Sequence, residues 1–288
     1  MTFLSNQGEP ISAWRMAKGI QRIQMKPDIF SNKNLREARI EFIAGTNRLQ
    51  TIEGWLLAAG IFAKENGKRT TEYYLTFFGE DLAKNDPNLR KSSTWWGIHL
   101  NLCFSSQSDP YSNIFKILNA NFKNWMLWSD VLSKIGNNDA FKNYKPSSIE
   151  SVSGGIRRMF EGDRTLAEIG IINVRKQSYP KETWLRLGSP ELSDEVIIHA
   201  LALAREKLFP TRISIDFIEL IQKDVHSYLC LSQEELRNNV RRLNNSDKWD
   251  TYFGYTETAN LNSIHFGEDI KTSNTVLILA QSHIDTWL

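Results

Sequence analysis

Only two cysteines occur in the 288 residues, Cys103 and Cys230. Each stands alone in apolar surroundings, with neither Cys-x-x-Cys nor Cys/His spacing. That argues against a disulfide framework and a structural zinc site, and it points to a reducing, cytoplasmic compartment. Long apolar runs are missing too: none reaches the roughly eighteen residues that a membrane helix needs. Met1 to Trp14 lacks the charged start, apolar middle and small-residue cleavage site of a secretory signal, so a soluble protein is expected. An excess of charge of one sign is also absent, because 35 basic residues face 33 acidic ones for a net charge of +2. Any surface for a polyanion must therefore be local. Gly154-Gly155 lacks the strand-then-helix context and the lysine of a phosphate loop, so no nucleotide site is legible.

What is present is apolar material, 41% of the chain, enough for two or three cooperating domains around a substantial core. The nine tryptophans belong mostly to that core. Trp55, Trp95, Trp96, Trp125 and Trp128 sit in helical apolar patterns, where packing is the expected role rather than base stacking.

The most informative stretch runs from Ser31 to Pro87. Leu35, Ala38, Phe42 and Ile43 recur at helical steps after Ser31 or Asn32, either of which can cap a short helix. Ala44-Gly45-Thr46 breaks the pattern, with Gly45 expected in a left-handed conformation and Thr46 as the next cap. A second helix follows from about Asn47 to Ala59, with Leu49, Ile52, Trp55, Leu56 and Ala59 turned inward. Ile61 to Leu75 then reads as a two-stranded wing around Asn66-Gly67, a strong hairpin signal. Thr76 can cap a further helix through Lys84, which Asp86-Pro87 closes. Helix, turn, helix and wing make a winged helix-turn-helix.

Later segments repeat the outline of a helix followed by a hairpin, without repeating the sequence. Ser148 to Phe160 precedes two strands within Ile171–Leu187 around Ser178 to Lys181. Ser232 and Glu235 form a capping box opening a helix to Asn244, which leads to strands over Trp249–Thr256 and Asn262–Phe266. Glu191–Phe209, Ile213–Tyr228 and Asn274–Leu288 read as helices. The expected architecture is mainly α (α+β): an amino-terminal arm over 1–30, the winged helix-turn-helix over 31–90, and a helical region with small hairpins over 91–288.

The winged helix places Asn47, Arg48 and Gln50 at the exposed start of the recognition helix, and Lys64, Lys68 and Arg69 on the wing. Those cations suit the phosphates of double-stranded DNA, and Asn47 and Gln50 suit base edges. The bland reading is a winged helix that packs against protein. Glu80, Asp81 and Asp86 concentrate acids after the wing and are the candidate catalytic residues. Asp86 leads as ligand for a divalent metal, magnesium or manganese, and its bland reading is a turn or cap residue before Pro87. Asp28 with Glu37 or Glu41 faintly matches a restriction-nuclease acid pattern, without the expected lysine. His99, with no acid or cysteine beside it in sequence, reads as a satisfied core histidine. Arg157 and Arg158, and Arg237, Arg241 and Arg242, form basic faces that either extend a DNA track or are solvated surface.

The order of these motifs resembles the bacterial family known as domain of unknown function four thousand and seven, from about Phe30 to the end. The family's glycine turn before a recognition helix is similar to Gly45 through Ile52 with Trp55-Leu56. Its Leu-Thr-x-x-Gly stretch ending in Asp-Pro is similar to Leu75-Thr76-Phe77-Phe78-Gly79 through Asp86-Pro87. Its Thr-x-Trp-x-x-His stretch is similar to Thr94 through His99. The family's early His-Glu-Thr-Phe and Arg-x-Gly-Trp-Leu segment has no counterpart in Met1 to Phe30. The resemblance implies a place in DNA phosphorothioation and phage defence, beside a cysteine desulfurase, an ATPase and an ATP pyrophosphatase. It also implies a nickase that opens one DNA strand for sulfur incorporation. The alternatives are a non-enzymatic DNA-binding adaptor and a transcriptional regulator of the same system.

Overall fold

The computed structural model describes residues 8–65, 71–105, 109–161, 165–258 and 261–282. It is mainly helical with small antiparallel sheets, and one arrangement of elements occurs along the chain in three versions. The first begins with α1 (Ala13–Met25), in the region expected to be an arm. Met16, Ile20 and Ile23 repeat at steps of four and three and are buried, so this helix belongs to the core rather than to an appendage. Gly19 is what allows the close approach to the next layer, since a Cβ there would collide with Leu56. α2 (Leu35–Glu41) and α3 (Thr46–Ala58) follow, with Leu49, Ile52, Trp55 and Leu56 of α3 buried.

The turn between α2 and α3 differs from expectation. Gly45 is extended, at φ −71° and ψ 167°, and serves as the N-cap of α3 without a side chain. Ile43 takes the left-handed conformation instead, at φ 46°. That is a poor conformation for a β-branched residue. The strands β1 (Phe62–Lys64) and β2 (Tyr73–Leu75) then pair antiparallel. Tyr73 N–H also donates to Pro27 O at 3.0 Å, so the chain ahead of α2 lies along the outer side of β2.

Two helices lead away from this unit. α4 (Phe77–Asn85) is capped by the Thr76 hydroxyl, which accepts from Gly79 N–H at 3.1 Å, and α5 (Ser92–Phe104) is buried on almost every side. The second version comprises α6 (Asp109–Asn119), β3 (Met126–Leu127), α7 (Trp128–Gly136) and α8 (Pro146–Arg157). The short α9 (Thr165–Glu168) then leads to β4 (Ile172–Gln177) and β5 (Glu182–Leu187). The third comprises α10 (Asp194–Leu208), β6 (Ser214–Asp216), α11 (Phe217–Gln222), α12 (Val225–Tyr228), α13 (Gln233–Asn244), β7 (Phe253–Thr258) and β8 (Leu261–Phe266). Their sheets run β3-β5-β4 and β6-β8-β7, so the last strand of each is central. The strand before α11 and the break between α11 and α12 replace the single helix expected over Ile213–Tyr228. Asp216 and Glu219 form a capping box for α11, and Asp224, left-handed at φ 61°, separates α11 from α12.

α14 (Thr272–Leu279) packs on α10, α5 and α4, closing the central helical layer. Within that layer His99 is fully buried. Its ring nitrogens lie 2.8 Å from the Tyr111 hydroxyl and 2.7 Å from Tyr228 O, which satisfies a neutral imidazole. Cys103 and Cys230 are free and buried. No described helix is long and apolar enough to cross a membrane.

Candidate nucleic-acid interface

The surface around the start of α3 is built by a division of charges on α2. Glu41 accepts Arg22 at 2.5 Å and Lys18 at 3.3 Å, and Glu37 accepts Lys26 at 2.5 Å, so the acids of α2 are held by cations of α1 and its end. Arg36 and Arg39 are exposed, and among the described residues no carboxylate lies within ion-pair reach of either. They line an open depression of about 480 Å³ with Ile40, Ile43, Ala44 and Gly45. Ile40 and Ile43 are 70% and 73% exposed. Asn47 and Gln50, expected to face base edges, are exposed on the adjoining turn of α3. The free N–H groups at this helix start add positive potential.

The expected cations are placed less favourably. Arg48 pairs with Glu9 at 2.7 Å, and Lys64 pairs with Glu53 at 3.1 Å. Glu53 also accepts the Tyr73 hydroxyl, and burial together with that bond pushes the phenol pKa well up. Lys68, Arg69 and the Asn66-Gly67 turn lie outside the described residues. Glu65 N–H donates to Glu72 O at 2.9 Å. Arg36 and Arg39 are site residues that the sequence reading does not name. The signal that marks them is the i, i+3 spacing of arginines on the face opposite Glu37 and Glu41.

The acids do not assemble into a metal site. Asp86 is buried at the C-terminal end of α4 and holds the turn into α5: one oxygen accepts Arg90 N–H at 2.8 Å, and the other accepts Lys91 N–H at 2.9 Å and the Thr94 hydroxyl at 2.8 Å. These bonds hold the turn between the two helices and satisfy the carboxylate without a cation. Asp81 accepts Asn85 at 2.7 Å, and burial raises its pKa, which disfavours the charged form a metal requires. Glu80 is on the exposed side of α4. Asp28 is held by Lys33 at 2.6 Å, far from a ligand set with Glu37 or Glu41, whose partners are given above. Among the described residues, no group of three His, Cys, Asp or Glu side chains could hold a metal ion. The described residues therefore do not fit magnesium or manganese, and no cleavage step follows from them.

The profile of the family described as protein of unknown function DUF4007 matches residues 9–282. The chain belongs to this family. No curated protein matches it. Solved structures that share the fold include two of SspB. A crystal structure of magnesium ion-bound SspB superposes with a TM-score of 0.76 at 17% identity, covering 99% of this chain and 91% of that one. A second SspB crystal structure gives 0.74 at 16% identity, covering 96% and 86%.

The stretches that carry the DUF4007 resemblance have visible structural work in this member. Thr76 caps α4, and Gly79 lets α4 lie against the Ile61 carbonyl, which a Cβ would strike. Thr94 ties Asp86 to α5, Trp95 donates from its indole to Leu89 O at 2.9 Å, and His99 bridges α5 to Tyr111 and Tyr228. These residues join the first unit to the rest of the molecule.

Proposed function

We propose that this DUF4007 protein binds double-stranded DNA through its first unit, read as a winged helix with α3 as the recognition helix, within a phosphorothioation-based DNA modification and defence system. The observation that carries the reading is the pair of arginines, Arg36 and Arg39, left without carboxylate partners among the described residues, beside exposed Asn47 and Gln50. Phosphate contacts would come from the arginines, with Arg48, Lys64, Lys68 and Arg69 along the flank, and base contacts from Asn47 and Gln50. The second and third units share one strand order with the last strand central, and the first unit follows the same sequence of helices and hairpin, which supports reading it as a winged helix. The cysteine desulfurase, ATPase and ATP pyrophosphatase of such a system are the partners that the family resemblance implies.

The test is fluorescence anisotropy on a labelled duplex across a salt series. Replacing Arg36 and Arg39 by alanine is expected to weaken binding and lower the slope of log affinity against log salt by about two. Unchanged affinity and slope would overturn the proposal. A second reading, one-strand nicking with magnesium or manganese, is favoured by the fold shared with magnesium-bound SspB. Supercoiled plasmid incubated with either metal tests it: open circles support the nickase, and bound but intact plasmid supports an adaptor or regulator.

A further inference from the structure

The second unit carries a surface of a different kind. β5 pairs with β4 so that Arg175 stands opposite Trp184 and Asn173 opposite Arg186, while Val174, Leu185 and Leu187 on the other face pack into the core. On the outward face the Arg186 guanidinium sits 4.7 Å from the ring centre of Trp125. The Arg175 guanidinium sits 5.0 Å from Trp125 and 5.7 Å from Trp184. Indoles and guanidiniums thus alternate across the sheet. Arg175 is exposed, while Arg186 and both tryptophans are half-buried. Among the described residues no carboxylate lies within ion-pair reach of Arg175 or Arg186, although Glu161 nearby is taken by Lys176 at 2.6 Å and Arg157 at 3.2 Å. At the tip of the hairpin, Tyr179 is 92% exposed.

We propose that this outer sheet face is a binding platform for single-stranded DNA. An uncompensated positive charge of two guanidiniums calls for an anionic partner, and the flat π surfaces interleaved with them call for one that presents planar groups. A duplex presents phosphates but keeps its base planes stacked inside. A single strand offers both together, with unpaired bases stacking on indole or guanidinium and phosphates meeting the cations. A partner protein, or a ladder that only packs the sheet, are the other outcomes. The inference does not depend on duplex binding at α3, because the residues are different.

The experiment measures anisotropy of labelled oligo-dT of about fifteen nucleotides, and of a duplex of the same length, with the full chain. Oligo-dT is expected to bind and to quench tryptophan fluorescence. Arg175→Ala, at an exposed position that leaves the core intact, is expected to weaken oligo-dT about tenfold and duplex less than twofold. Arg175→Lys, which keeps the charge and loses the planar stack, should fall between. Trp184→Phe should retain binding and lose part of the quench. Arg36→Ala with Arg39→Ala should show the reverse selectivity, so failure of either proposal is visible separately. Oligo-dT that does not bind, or binds Arg175→Ala as well as the parent, overturns the platform. If Arg175→Ala leaves oligo-dT binding unchanged and lowers only the melting temperature, the ladder is packing.

Discussion

Acid should destabilise the fold through two histidines. His99 and His199 are fully buried, and burial lowers the pKa of each to about 4, against hydrogen bonding to Tyr228 in one case and the field of Glu206 in the other. The unfolded chain returns both to about 6.5. Between those values the unfolded state binds more protons than the folded state, so stability is present above pH 6.5 and is lost as pH falls toward 4. At pH 5 each histidine removes about 2 kcal/mol relative to pH 7.5, about 4 kcal/mol together, a large share of an ordinary domain's stability. The assay is urea denaturation at the two pH values on the parent and on His99→Gln and His199→Gln. Glutamine cannot charge, so each variant should lose about 2 kcal/mol less than the parent on acidification, whatever its stability at pH 7.5. Equal losses in parent and variants would refute the reasoning and assign the acid sensitivity to carboxylates.

Asp86→Ala orphans two backbone N–H groups and the Thr94 hydroxyl, and should cost about 2 to 3 kcal/mol in urea denaturation while leaving duplex affinity unchanged. A metal-ligand role would instead show as lost metal-dependent nicking at parental stability. Trp55→Ala and Trp95→Ala, at residues 2% and 0% exposed, should each cost about 3 to 5 kcal/mol. A loss of a few tenths would contradict their core placement. Ile43→Asn relieves the left-handed strain of a β-branched residue that buries little, and should raise stability by about 1 kcal/mol. No gain would show that the turn stores no such strain.

Much of the fold was legible because its signals are local. The periodicity of α3, the Thr76 cap, the Ser232–Glu235 capping box and the hairpin within Ile171–Leu187 all depend on residues a few positions apart, and each is found as read. What escaped needed a partner from elsewhere. Arg48 and Lys64 look like free cations in sequence, and Glu9, 39 residues before Arg48, and Glu53 neutralise them in space. The apolar spacing of Met16, Ile20 and Ile23 in α1 is local as well, although the expectation for 1–30 was an arm. Trp125 was assigned to the core by a helical pattern, whereas it precedes a strand and lies half-buried against arginines. Asp86 was legible in its bland reading only, since the three donors that meet it lie within the next eight residues.

The third unit shows why basic residues counted along a helix do not identify a nucleic-acid surface. α13 carries Arg237, Arg241 and Arg242, as dense a set of guanidiniums as α2. Arg241 is gripped by both oxygens of Glu257 on the following hairpin at 2.6 and 2.7 Å, and Arg242 meets Asp194 at the start of α10 at 2.6 Å. Arg237 lies over Phe217 and 3.5 Å from Glu234. Breaking one such exposed pair costs little, so the pairing does not forbid contact with a phosphate. It does cancel the field beyond about one Debye length, roughly 8 to 10 Å, that would draw a polyanion in. Among the described residues no carboxylate cancels that field for Arg36 and Arg39 on α2, or for Arg175 and Arg186 on the outer sheet face. The same arrangement of helices and strands therefore presents open positive charge in its first two versions and a neutralised face in its third, and the difference is set by acids contributed from other elements.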